Sequence, residues 1–147
     1  MVKTYKGKFS PKNPKKYKGD PTNIIYRSLW ERKFFQYCDE TEDIVSWASE
    51  ELFVPYISPK DNRWHRYFPD VIIEARQKDG STRTIMIEIK PQKETKEPKV
   101  KSKKTPQYIT EVVTWGVNQA KWKYAEEYCK DKGWEFKILT EKDLFGK

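Results

Sequence analysis

The sequence predicts one α/β (α+β) domain with the element order αβββαβ. Three observations carry this. Aromatic residues recur at helical spacing from Tyr26 to Tyr37, two alternating apolar stretches flank the turn signal Lys78-Asp79-Gly80, and a long helical pattern ends at Gly133 just before a short apolar stretch. The 147 residues suffice for a single core, and no shift of composition divides them.

Taken in order, residues 1–22 are rich in Lys, Pro and Gly and lack an apolar period. They predict a basic N-terminal arm lying over the surface or along a ligand and ordering when bound. The domain itself is expected over residues 23–147. Tyr26, Trp30, Phe34 and Tyr37, with Leu29 beside them and Cys38 extending the stripe, predict the first helix. Residues 44–57 are rich in β-branched and aromatic side chains and read as the first strand, with Pro55 marking an edge or a bend. After the polar turn at 58–63, residues 66–75 and 82–90 are expected to form a hairpin. The Lys- and Pro-rich stretch 91–106 reads as a loop. Tyr108, Val112, Trp115, Trp122 and Cys129 then predict a second helix over 107–132, which Gly116 bends or divides; Gly133 ends it, and 134–139 is the last strand. No internal repeat is present.

The net charge of +8 is concentrated. Residues 1–20 hold seven Lys against one Asp and residues 90–104 hold seven Lys against two Glu, contributing +6 and +5 and leaving −3 for the rest. Such concentration suits a polyanion, and nucleic acid is the expected partner, with Lys12, Lys15, Lys16 and Lys18 in the first segment and Lys101, Lys103 and Lys104 in the second as its contacts. Solvated, flexible runs are the alternative. An anionic membrane is disfavoured, because neither segment has the apolar helical face that anchoring needs. The sequence has no stretch of transmembrane length and no apolar signal region at its N-terminus, which predicts a cytosolic location. Cys38 and Cys129 lack a metal-like spacing and are expected as small buried groups in a reducing compartment, a disulfide being the alternative.

Side chains alternate along a strand, so Ile85, Ile87 and Ile89 form an apolar face while Met86, Glu88 and Lys90 form a mixed one. With Lys78, Asp79 and Gly80 as the loop, Asp70 falls opposite Glu88. Like charges opposite one another destabilise a sheet, so a positive group is expected between them. A hard divalent cation fits, since Mg²⁺ is held by one or two carboxylates and otherwise by water and phosphate oxygens. Lys90, on the same face, can reach a scissile phosphate or the water beside the ion. An exposed strand face with alternating charges is the bland alternative.

Other chemistries find little support. His65, the single histidine, lies on a polar turn and suits a surface position or a DNA contact; most His-based catalytic pairs are excluded. Ser28 and Ser49 have no paired base, and no Gly-rich phosphate loop exists. Glu50 reads as an edge-strand charge, with a place near the metal as the alternative. Trp115 and Trp122 are expected in the core, while Trp64 is open to either role.

Pro69-Asp70 followed by Glu88-x-Lys90, after a helix bearing Glu31, resembles the PD-(D/E)xK nuclease superfamily. Tyr26-Arg27-Ser28-x-Trp30-Glu31, Trp47-x-Ser49-Glu50, Arg66-Tyr67-Phe68-x-Asp70, Val117-Asn118-x-x-Lys121-Trp122 and Phe136-x-Ile138-Leu139-Thr140-Glu141 are similar to the head completion nucleases of T4-like tailed phages, and more distantly to the endonuclease subunits of Tn7-like transposases. The resemblance implies a restriction-endonuclease-like core with a mixed central sheet flanked by helices, and Mg²⁺-dependent hydrolysis of DNA phosphodiesters, with Mn²⁺ as a substitute ion. It implies Asp70, Glu88 and Glu31 as metal-binding acids and Lys90 as the motif lysine. It further implies action on phage DNA during head completion, capsid, portal or neck proteins as further partners, and a location in the host cytoplasm or the virion. The rival expectation is a non-catalytic virion protein that binds or plugs the packaged DNA end.

Overall fold

The computed structural model describes residues 5–146. Strand β1 (Gly7–Phe9) pairs antiparallel with β2 (Ile24–Tyr26), with a 3-10 turn at Pro14–Lys16 between them. Helix α1 (Leu29–Glu40) starts where the Ser28 hydroxyl accepts a hydrogen bond from the Glu31 amide, satisfying one of the open donors of the first turn. Then follow β3 (Ile44–Ala48), β4 (Val54–Ser58), β5 (Arg63–Tyr67), β6 (Val71–Arg76), β7 (Thr82–Ile89), α2 (Pro106–Lys132), β8 (Glu135–Leu139) and the short α3 (Glu141–Phe145).

The central sheet has the order β3-β6-β7-β8, antiparallel except for the β7–β8 pair, and helices lie on both faces. This is the expected mixed sheet. Hairpin register matches the sequence expectation: Val71 pairs with Ile87 and Arg76 with Thr82. Val71, Ile73, Ile85, Ile87 and Ile89 pack with Phe34, Phe35 and Cys38 of α1, whereas Met86 packs on the other side with Trp122, Ala125 and Cys129 of α2. Cys38 and Cys129 are therefore free, buried and on opposite faces, which removes the disulfide alternative.

The chain departs from the sequence reading in several places. Residues 44–57 are not one strand: Glu50 takes a left-handed conformation at φ 54° and turns the chain out of the sheet, so β4 pairs with β5 as a separate two-stranded ribbon. The expected strand 66–75 is split at Pro69, which has no N–H to donate, leaving Arg66 and Tyr67 in β5. Helix α2 runs unbroken through Gly116, and α3 was not expected; its start is fixed by a reciprocal cap between Thr140 and Asp143.

The segment expected as a surface arm packs into the core over much of its described length. Phe9 meets Phe35 and Trp47 edge-on, and Tyr17 meets Trp47 at 4.8 Å between ring centroids. The buried Asp39 carboxylate accepts hydrogen bonds from the Lys12 and Asn13 amides at 2.8 and 2.9 Å. Two aromatics widely spaced among lysines leave no periodic signal, and their partners come from distant parts of the chain. Phe9→Ala is expected to lower the unfolding free energy by about 3 kcal/mol in urea titration, through lost burial and a residual cavity. An arm free of the core would show no change.

Candidate active site

The centre of the site follows from the hairpin. Asp70, held behind the buried Pro69, sits one residue before β6, and Glu88 is the penultimate residue of β7, so extending the pairing sets the two opposite each other at one end of the sheet. Asp70 Oδ2 accepts a hydrogen bond from the Ile89 amide at 2.8 Å. Glu88 is buried on the α2 side; its Oε1 accepts from the Tyr67 hydroxyl at 2.7 Å and its Oε2 lies 3.7 Å from Lys90 Nζ. Glu31 reaches the same end of the sheet from the opposite layer. It lies in the first turn of α1, on the buried stripe of that helix, and its Oε1 accepts from the Arg27 amide at 3.3 Å. The structure thus brings together Glu31, Asp70, Glu88 and Lys90.

Their charges are mutually unfavourable. Burial, and then the charges of Glu88 and Glu31, hold the Asp70 carboxyl well above the usual carboxylate range. Burial also raises Glu31, with Glu50 and Glu88 adding to the effect against the Arg27 amide and its charge. A carboxyl whose pKa is higher in the folded than in the unfolded chain binds more protons when folded, so its contribution to stability falls as pH rises through the raised value. At neutral pH, Asp70 and Glu31 therefore cost stability. Asp70→Asn, which can still accept from the Ile89 amide, is expected to raise the melting temperature of the metal-free protein at pH 7, with a smaller gain at acid pH where Asp70 is already neutral. Calorimetry across pH decides it, and a lowered melting temperature at pH 7 would contradict the repulsion.

Several neighbours were missed or underrated in the sequence. Glu50 is no edge-strand charge: it sits in the turn after β3 and accepts from Arg27 Nε at 2.9 Å, beside Glu31. Tyr67 supports Glu88. Lys121, half-buried on α2, sets its ammonium 5.8 Å from the Tyr67 ring centroid and 5.9 Å from that of Tyr56. Burial lowers its pKa, while Glu88 and Asp70 favour its charged form and Lys90 opposes it. The available signal was a lysine in helical phase with the buried Asn118, Trp122 and Ala125.

The lysines expected to touch DNA are dispersed. Lys16 is half-buried and donates to the Asp39 and Thr41 carbonyls, closing the C-terminus of α1. Lys12 pairs with Glu40 at 3.8 Å, and Lys15 belongs to the same turn. All three lie at the far end of α1 from Glu31, ~12 Å along the axis for the eight residues to Asp39. Lys18 faces Glu74 at 3.9 Å. Lys101, Lys103 and Lys104 are exposed ahead of α2, with Lys101 and Lys104 over the Tyr108 ring. His65 lies on β5 rather than on a turn and bonds Asp61 at 2.8 Å. Trp122 is buried, Trp115 half-buried and Trp64 exposed.

Among the described residues, no three or more His, Cys, Asp or Glu side chains are grouped closely enough to hold a metal ion between them. Asp70 and Glu88 offer hard carboxylate oxygens whose mutual repulsion a dication would offset, and a hard cation held by two carboxylates takes its other ligands from water and substrate oxygens. The chemistry of these donors suits a hard divalent cation.

The family described as TnsA-like endonuclease N terminal matches residues 41–141, which include Asp70, Glu88 and Lys90. The head completion nuclease of Enterobacteria phage T4 is 41% identical over 144 residues, covering 95% of this chain and 93% of the relative. No solved structure matches the chain significantly.

Proposed function

The chain belongs to the TnsA-like endonucleases, whose fold is of the PD-(D/E)xK type, and from this we propose that it is a metal-dependent DNA endonuclease acting on phage DNA during head completion. The observation that carries the reading is the convergence of Glu31, Asp70 and Glu88 from two layers of the fold beside Lys90. Asp70 and Glu88, with Glu31 directly or through water, would hold Mg²⁺, for which Mn²⁺ could substitute. When bound, the ion lowers the pKa of water and polarises the phosphate.

The chain's own residues divide the remaining work. The Ile89 amide and the Tyr67 hydroxyl each occupy one oxygen of Asp70 and Glu88, which fixes both carboxylates in orientation. Lys90 presents its ammonium to the scissile phosphate and neutralises charge that develops there. Lys121 adds a second cation on the α2 side, and the lysines ahead of α2 contact the DNA backbone. Capsid, portal or neck proteins are the second class of partner, and the work is done in the host cytoplasm during infection or in the virion. No helix among the described residues is long and apolar enough to cross a membrane.

Purified protein is expected to convert supercoiled plasmid to nicked and linear forms with Mg²⁺ and to stop when EDTA is added. Absence of cleavage across divalent ions and DNA forms would overturn the assignment.

A further inference from the structure

The β4–β5 ribbon shows two different faces. Val54, Tyr56 and Ser58 of β4, with Tyr67 of β5, are buried. The alternate residues point outward: Ile57 opposite Trp64 and Pro55 opposite Arg66 in register, with Phe53 and Phe68 extending the same face by one pair. Phe53, Ile57, Trp64 and Phe68 are exposed at 42, 37, 64 and 42%. Their rings are preorganised: Phe53 and Phe68 lie 5.8 Å apart, Arg66 stacks 4.9 Å over Phe53, and Trp64 rests an edge against Tyr124.

An exposed aromatic face of this size calls for a partner, and its charge and position say which. Arg66 is the only charged residue of the outward-facing set, Lys60 and Arg63 flank the turn, and Asp61 is engaged by His65. The face is also continuous with the proposed catalytic centre. Tyr67, between Arg66 and Phe68, bonds Glu88, and Phe68 precedes Asp70 by two residues, a reach of ~7 Å. Exposed rings and an arginine fork leading to a phosphodiester-cleaving site suit unpaired bases, since every base has a face to stack and the cations follow the backbone.

The geometry points to the outer face of the β4–β5 ribbon as a stacking platform for unpaired nucleotides, so that the preferred substrate is DNA with a single-stranded stretch next to the bond that is cut. The position of the cut rests on the nuclease reading; the binding does not. Binding is therefore measured in EDTA by fluorescence anisotropy, with oligo(dT) and a blunt duplex of equal length. Trp64→Ala is expected to weaken oligo(dT) binding about tenfold or more, to change duplex affinity less than about twofold, and to leave the melting temperature near wild type. Trp64→Phe, which keeps a stacking ring, restores most of the loss, and Trp64→Ala with Phe53→Ala deepens it. Unchanged oligo(dT) affinity in the double variant, or an equal loss on both DNA forms, would overturn the platform and leave the face for a protein partner. Wild type that discriminates through Trp64 yet cleaves nothing in any divalent ion would overturn the nuclease reading alone.

Discussion

Asp70→Asn and Glu88→Gln are each expected to reduce Mg²⁺-supported plasmid nicking by about 10³-fold or more. Each substitution removes a charge that would hold the ion in the proposed site but keeps the side chain's shape, so the Ile89 amide and the Tyr67 hydroxyl keep an acceptor. A bound ion would supply several kcal/mol of charge stabilisation where the phosphodiester breaks, and about 4 kcal/mol corresponds to about 10³ in rate. DNA affinity in EDTA should not fall; it should rise slightly, because one negative charge near the phosphates is gone. Ca²⁺ should support binding with little cleavage, since its larger and looser shell positions water poorly. Either variant cleaving at the wild-type rate, while folded, would remove its carboxylate from the metal site.

Lys90→Ala is expected to lower the cleavage rate by roughly 10²- to 10⁴-fold, the range for one positioned electrostatic or proton-transfer group. It takes away a cation and no metal ligand, so the protein should still bind Mg²⁺ and DNA. The main-chain bond from the Lys90 amide to the Leu139 carbonyl is untouched, and the strand end should stay in place. A protein that only held the packaged DNA end would instead show a small loss of affinity and no change in completing infectious heads. If Lys90→Ala abolishes nicking but heads are completed normally, cleavage is real and is not the biological task.

The hairpin at the heart of the site was legible in the sequence because everything that sets it is local. The Lys78-Asp79-Gly80 turn, with Gly80 at φ 89°, fixes the loop, the loop fixes the register, and a period of two fixes the face. Asp70 opposite Glu88 with Lys90 nearby followed from these alone, and equally local patterns, a helical spacing and a terminal glycine, gave the stripe of α1 and the stop of α2 at Gly133. Glu31 entered only through resemblance, since no period of the chain says which end of a helix will meet which end of a sheet.

The tertiary structure decided the rest, and the common reason is long-range packing. Phe9 and Tyr17 look like isolated aromatics in a lysine-rich arm until Phe35 and Trp47 supply the other half of their contacts. Lys16, read as a DNA contact from its neighbours in sequence, is spent on the carbonyl end of α1. Glu50 and Lys121 come beside the carboxylates through a left-handed turn and through the choice of which face of α2 is buried, and the β4–β5 ribbon exists only because that turn takes the chain out of the sheet. Sequence alone determined the opposed carboxylates and their lysine, because turn and strand period are short-range constraints. Folding alone determined the layers that surround them, because those depend on contacts between residues far apart in the chain.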